Sequence, residues 1–161
     1  MFLKKWIIGL SVLLLLAIGY IFASILVGMD GKKSAEEEAK AIATNEGKLV
    51  SISDYYLYHG KEVYSVVVGK DEDGTEQVLW IPEDTSEKSV IKKEYTTGIS
   101  KAEIMNIVKN EHQPKEIISV KLGMESDIPI WEVTYKNEND GLNYVYYLFE
   151  TGEQTSFYSN I

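Results

Sequence analysis

The run from Trp6 to Met29 contains no charged side chain over 24 residues, and it constrains this chain more than any other feature. As an α-helix it extends roughly 36 Å, more than a hydrocarbon core of about 30 Å. Unpaired backbone groups in lipid cost several kcal/mol each, so such a run must be helical there. The competing reading is a cleaved leader, whose apolar part needs only about 7–15 residues before a small-residue cleavage site. Ala17, Gly19, Ala23 and Ser24 supply small residues. A cut near Gly19 would leave Tyr20–Met29 as a free, mostly apolar tail, so an uncleaved anchor is expected. The chain has no cysteine, which excludes a lipoprotein anchor.

Basic residues flank the run on both sides, Lys4 and Lys5 before it and Lys32 and Lys33 after it, the latter mixed with Asp30 and Glu36–Glu38. A short basic N-terminal tail is the commoner cytoplasmic end. The expected layout is a cytoplasmic tail at residues 1–5, a single span at 6–29 and an extracytoplasmic part at 30–161.

Residues 30–161 carry 14 lysines against 25 acidic residues, a formal charge of −11, and no arginine. A nucleic-acid partner is therefore not expected, because phosphates demand cations and base edges favour arginine. Without cysteine, thiol catalysis, zinc–thiolate sites and iron–sulfur clusters are also excluded. The richness in Tyr, Val and Ile argues for a folded body.

That body reads as one module written twice. Ser34 and Glu37 form a capping-box pattern ahead of Ala39, Ile42 and Ala43, and Gly47 suits a left-handed helix end. Ser100 and Glu103 repeat the pattern ahead of Ile104, Ile107 and Val108, and Pro114 follows. Val63–Trp80 and Ile130–Tyr147 align without gaps at an offset of 67, with Asp73-Gly74 on Asp140-Gly141. Asp-Gly between β-rich runs marks a hairpin. Only four positions in eighteen are identical, so the shared order of elements carries the repeat. The expected fold is α+β, with two tandem modules at 30–96 and 97–161, each a helix packed on an antiparallel sheet. Strands are expected near 48–58, 62–70, 75–82 and 88–94, then near 115–123, 129–136, 142–150 and 154–160. The boundary falls near Tyr95–Gly98, with no long linker.

Candidate chemistry is sparse. His59 precedes Gly60 in a turn, and His112 closes a helix where its charge suits the dipole. Both are expected to be exposed end residues. Asp71, Glu72 and Asp73 share a turn, as do Glu138 and Asp140, but calcium needs six or more oxygens at a set spacing and the EF-hand pattern is missing. No phosphate-loop, dinucleotide, zinc-protease or nucleophile-elbow pattern occurs. No pair of carboxylates is singled out for glycoside hydrolysis. No catalytic residue, metal, cofactor or small-molecule substrate is expected, and a hydrolase is the outlying reading.

The aromatic residues carry the remaining signal. Tyr55, Tyr56 and Tyr58 crowd one strand, and Tyr144, Tyr146 and Tyr147 another. Neighbours along a strand point to opposite faces, so one face is expected to present tyrosines as a protein contact. The bland alternative is that tyrosine favours strands and covers the core edge.

Taken together, the KKW start, the duplicated helix–sheet module and the strand texts EVYSVVVGKDEDGTEQVLWIP and PIWEVTYKNENDGLNYVYYLFETGE resemble the TseB-like cell wall elongation regulators of Gram-positive bacteria, a PepSY-like and cystatin-like group. The resemblance implies two cystatin-like domains outside the cell membrane. It further implies an accessory, non-enzymatic role toward a class B penicillin-binding protein in wall synthesis. It offers no catalytic residues to carry over. Control of a protease, in the manner of an inhibitor or propeptide, is the alternative function.

Overall fold

The computed structural model describes residues 2–86 and 88–159, the side chains of 2–12, 22, 23 and 25–32 excepted. Helix α1 runs Phe2–Asn45. Strands β1 (Leu49–His59), β2 (Val63–Asp71), β3 (Glu76–Pro82) and β4 (Ile91–Glu94) follow, then a 3-10 turn at Tyr95–Thr97. Helix α2 is Lys101–His112, followed by β5 (Glu116–Glu125), β6 (Ile128–Lys136), β7 (Leu142–Leu148) and β8 (Gln154–Ser159). Each set of four strands makes one antiparallel sheet in chain order. The strand positions fall within a few residues of those expected. Residues 1–37 and 38–161 form two compact units.

Helix α1 corrects one expectation. Ser34 does not start a helix; it lies inside α1. An interior residue has carbonyls of the preceding turn as partners for its N–H, so no cap is required. The far end differs too. Lys48, not Gly47, takes the left-handed conformation, with φ 58°. Gly47 is needed for closeness instead: a Cβ there would lie 2.3 Å from Leu79 Cδ2 and 2.5 Å from the Ala43 carbonyl oxygen.

Most of the expected span at Trp6–Met29 has side chains outside the described residues, although its backbone is helical throughout. Among the described residues no helix is long and apolar enough to cross a membrane.

Helix α2 begins as expected. The Ser100 hydroxyl accepts from the Glu103 N–H, and the Glu103 carboxylate accepts from the Ser100 N–H at 2.9 Å. Ser100→Ala is expected to cost about 1 kcal/mol of unfolding free energy, read from the urea midpoint. Ile104 and Val108 turn its apolar stripe into the core.

The two sheets are packed differently. In β3 every residue from Gln77 to Pro82 is buried, because both faces of the first sheet are covered. Val67, Leu79 and Ile81 face Ala39 and Ala43 of α1 in a small cluster. Tyr64, Val66, Val68, Val78 and Trp80 face the other way, into a larger core shared with α2 and the second sheet. In β7 burial alternates strictly, so only one face of the second sheet is deeply covered. Covered on both faces, a strand reads as a continuous apolar run; covered on one, it alternates.

The repeat is real but its offset is 66, not 67. In the first hairpin Asp71 Oδ1 accepts from the N–H groups of Asp73 and Thr75. In the second, Asn137 Oδ1 accepts from those of Asn139 and Gly141. Gly74 at φ 80° is matched by Asp140 at φ 61°. The pair Lys70↔Glu76 is matched by Lys136↔Leu142. A slip of one residue in a strand exchanges its two faces. The aligned Asp-Gly dipeptides therefore match the α1-facing Val67, Leu79 and Ile81 with Thr134, Tyr146 and Leu148 instead of with Val133, Val145 and Tyr147.

The modules meet along β1 and β5. Gly123 lets the Tyr58 ring lie on β5; a Cβ there would be 2.5 Å from it. Lys88 bridges Glu62 and Asp127, each at 2.6 Å, across the modules.

Candidate contact surface on the second sheet

The six tyrosines singled out by sequence do not share one exposed face. Tyr58 and Tyr147 are buried, and neither presents a ring to a partner. The Tyr58 hydroxyl donates to Glu125 Oε1 at 2.7 Å, and the Tyr147 hydroxyl donates to Glu111 Oε2 at 3.0 Å. Tyr55 packs on the small cluster beside α1. Tyr56 turns to the opposite side, where it donates to the Asp54 carboxylate and lies 5.7 Å from Lys101 Nζ. Tyr144 and Tyr146 are half-buried on the outward face of the second sheet. Alternation along a strand separates these groups, and crowding in sequence hides it.

The outward face holds a groove of about 530 Å³. Its lining includes Glu125, Ile128, Ile130, Tyr146, Leu148 and Tyr158. Ile128 is 50 % exposed and Tyr158 54 %. The Tyr146 and Tyr158 rings meet edge-on with centroids 5.9 Å apart. Glu132 pairs across strands with Lys121 on one side and Tyr146 on the other.

Burial lifts the Glu132 carboxyl above the usual carboxylate range, against the hydrogen bond from Tyr146 and the charge of Lys121, with the Glu125 charge adding to the rise. Burial and the Glu132 carboxylate likewise raise the Tyr146 phenol. The folded state thus holds the Glu132 proton more tightly than the unfolded chain does. That contribution to stability is full below the unfolded pKa of about 4.3 and is lost as pH rises through the higher folded value. Glu132→Gln is expected to raise the melting temperature by roughly 1–3 °C at pH 7 and to leave it unchanged near pH 3, in paired thermal scans. Glu125 and Glu132 escaped sequence reasoning. The available signal was a charged residue set between Trp131 and Val133 in a β-rich run, which alternation turns outward.

The remaining polar candidates have structural partners. Asp71 closes its hairpin and accepts from Gln77 Nε2 at 2.8 Å. His59 is exposed as expected, but His112 is not free. It stacks on Phe157 at 5.4 Å and hydrogen-bonds Tyr147 at 3.1 Å. Among the described residues, no group of three or more acidic and histidine side chains is placed to hold a metal ion.

The body is an α+β arrangement of two four-stranded antiparallel meander sheets packed with helices. Two family models match within it. One, described as the cell wall elongation regulator TseB-like domain, covers residues 38–82. The other, described as the peptidase propeptide and YPEB domain, covers 98–156. The chain is 35% identical over 143 residues to the probable cell wall elongation regulator TseB of Bacillus subtilis (strain 168), covering 84% of this chain and 88% of that one. It also matches the solved structure of the YpmB protein from Bacillus subtilis, with a TM-score of 0.70 and 32% identity, over 76% of this chain and 95% of that chain. The chain belongs to the family of TseB-like cell wall elongation regulators.

Proposed function

We propose that this protein is a non-enzymatic regulator of peptidoglycan elongation that works by contact with a class B penicillin-binding protein at the outer face of the cell membrane. The observation that carries the reading is the kinship with the Bacillus subtilis regulator over most of both chains. In this reading residues 1–5 are cytoplasmic, 6–29 cross the membrane once, and the modules at 30–96 and 97–161 lie outside. The exposed Leu13–Leu16, Ile18 and Ile21 of α1 support the span, since such a helix surface calls for an apolar medium. Tethering would hold the body near other membrane-anchored enzymes and raise its effective concentration there. Tyr144 and Tyr146, half-buried on the second sheet, are the tyrosines proposed for that contact.

The test is complementation of a Bacillus subtilis strain lacking its own relative, with in-membrane crosslinking read by mass spectrometry. The intact chain is expected to restore the rate of lateral wall growth and to crosslink a penicillin-binding protein. Restoration without any such crosslink would remove the proposed partner. Failure to restore growth would remove the regulatory reading.

The propeptide-type match over residues 98–156 favours a second reading, control of a protease. Inhibition of any member of a protease panel by the purified chain would support it.

A further inference from the structure

We propose that the groove on the second sheet binds a small zwitterion carrying an aromatic ring, the chemistry of a free aromatic amino acid or of a short peptide with unblocked ends. The proposal goes beyond the contact reading and does not rest on it.

Only part of the outward face is open to a ligand. Toward β5 it is covered, since the Tyr58 ring lies over Gly123. Toward β7 and β8 lies the groove of about 530 Å³. Small-molecule sites typically measure about 300–1,000 Å³ and combine apolar walls with a few polar groups. Here the buried Ile130 and the half-buried Tyr146 and Leu148 give the apolar lining, and Tyr158 adds a second ring edge-on to Tyr146. The lining is drawn from four strands and two turns, so no linear motif announces it.

The repeat indicates which apolar group fits. At an offset of 66, Tyr64 corresponds to Ile130 and Trp80 to Tyr146. On the first sheet Trp80 receives the ring of Phe149, edge-on at 5.4 Å, and both are fully buried. On the second sheet the matching side chains are smaller, Ile for Tyr and Tyr for Trp, and they line the groove. An aromatic ring is therefore the group that the equivalent place already accepts, and edge-on ring pairs are favourable beyond their buried area.

Charge selects the rest of the ligand. Lys61, in the turn between β1 and β2, and Glu125, at the end of β5, both line the groove. A Cβ on Gly60 would collide with Glu125 Oε1, so the turn that carries Lys61 is brought close to that carboxylate. The two charges still do not pair. Among the described residues Lys61 makes no ion pair, and Glu125 accepts from the neutral Tyr58 hydroxyl. An ammonium and a carboxylate on one ligand would satisfy both through charge-assisted hydrogen bonds. A ligand with charge of one sign would meet one like charge at the rim.

The test uses the full chain in detergent micelles, titrated with phenylalanine and with the dipeptide phenylalanyl-alanine. Calorimetry measures affinity, and NMR of labelled tyrosine rings locates the ligand. At least one of the two is expected to saturate with Kd about 0.1–1 mM, shifting Tyr146 and Tyr158 and leaving Tyr95 unmoved. Which of them binds more tightly separates an amino acid from a peptide as the source. Glu125→Gln, which keeps an acceptor for Tyr58, and Lys61→Gln should each weaken binding about tenfold while the melting temperature holds. Alanyl-alanine, and phenylalanyl-alanine acetylated at one end and amidated at the other, should each bind at least about tenfold more weakly than the parent dipeptide. No saturation of either ligand by about 10 mM would overturn the proposal. So would ring shifts confined to tyrosines outside the groove, or equal binding of the blocked dipeptide.

Discussion

Trp131→Ala is expected to lower the unfolding free energy by about 3–5 kcal/mol, the largest loss of any single substitution considered for this chain. Trp131 is fully buried in the core that both modules share. Its Nε1 donates to the Ile99 carbonyl at 2.8 Å, and its ring meets Tyr95 edge-on at 6.4 Å. The alanine removes the ring, leaves a cavity at the base of α2, and strands a carbonyl at the start of that helix. Against a total stability of about 5–15 kcal/mol such a loss is severe. Urea unfolding followed by tryptophan fluorescence measures it. Trp131→Phe keeps most of the volume but still strands Ile99, so an intermediate loss is expected. Trp80→Phe should cost least, because the buried Trp80 Nε1 has no hydrogen-bond partner to lose. The order Trp131→Ala, Trp131→Phe, Trp80→Phe is the checkable outcome; a loss for Trp80→Phe matching that for Trp131→Phe would mean the Ile99 hydrogen bond contributes little.

Gly123→Ala is expected to cost about 1–3 kcal/mol, a large penalty for one methyl group. Gly123 lies on β5 under the Tyr58 ring, and the new Cβ would sit 2.5 Å from Cδ2 and 2.8 Å from Cγ of that ring. Tyr58 cannot simply swing away, because it is buried and its hydroxyl is held by Glu125. The same substitution made together with Tyr58→Ala should cost almost nothing beyond Tyr58→Ala itself. Residues in contact fail to add, and a double-mutant cycle on urea midpoints reads that failure. Simple additivity of the two losses would show that the rings and strands along this seam are loosely packed.

Much of this architecture is legible in the residues. The strands are marked by β-branched and aromatic runs, and the turns between them by Asp71, Gly74, Asn137 and Asp140. The Ser100 and Glu103 pair announces α2 and forms as written. The same pattern at Ser34 and Glu37 misleads, because a cap is called for only where the chain enters a helix from outside, and α1 is already under way. The repeat is visible, but its offset is not. Asp73-Gly74 and Asp140-Gly141 look equivalent as dipeptides, whereas Asp71 and Asn137 are the residues that close the two turns in the same way. One residue of error exchanges the faces of every matched strand. The tyrosines read as one patch for a separate reason: crowding in sequence hides the alternation that sends strand neighbours to opposite faces. The strict alternation of burial in β7 also depends on what covers the second sheet, and no local pattern encodes that.

The shared core has a consequence for any attempt to divide the protein. A fragment ending near residue 98 would keep its four strands and its helix contacts, yet it would lay Tyr64, Val66, Val78 and Trp80 bare on a flat, uncharged surface. Such a fragment should stick to itself and to chaperones. The halves are thus two in pattern and share one core, so removing either lays bare the face the other covers.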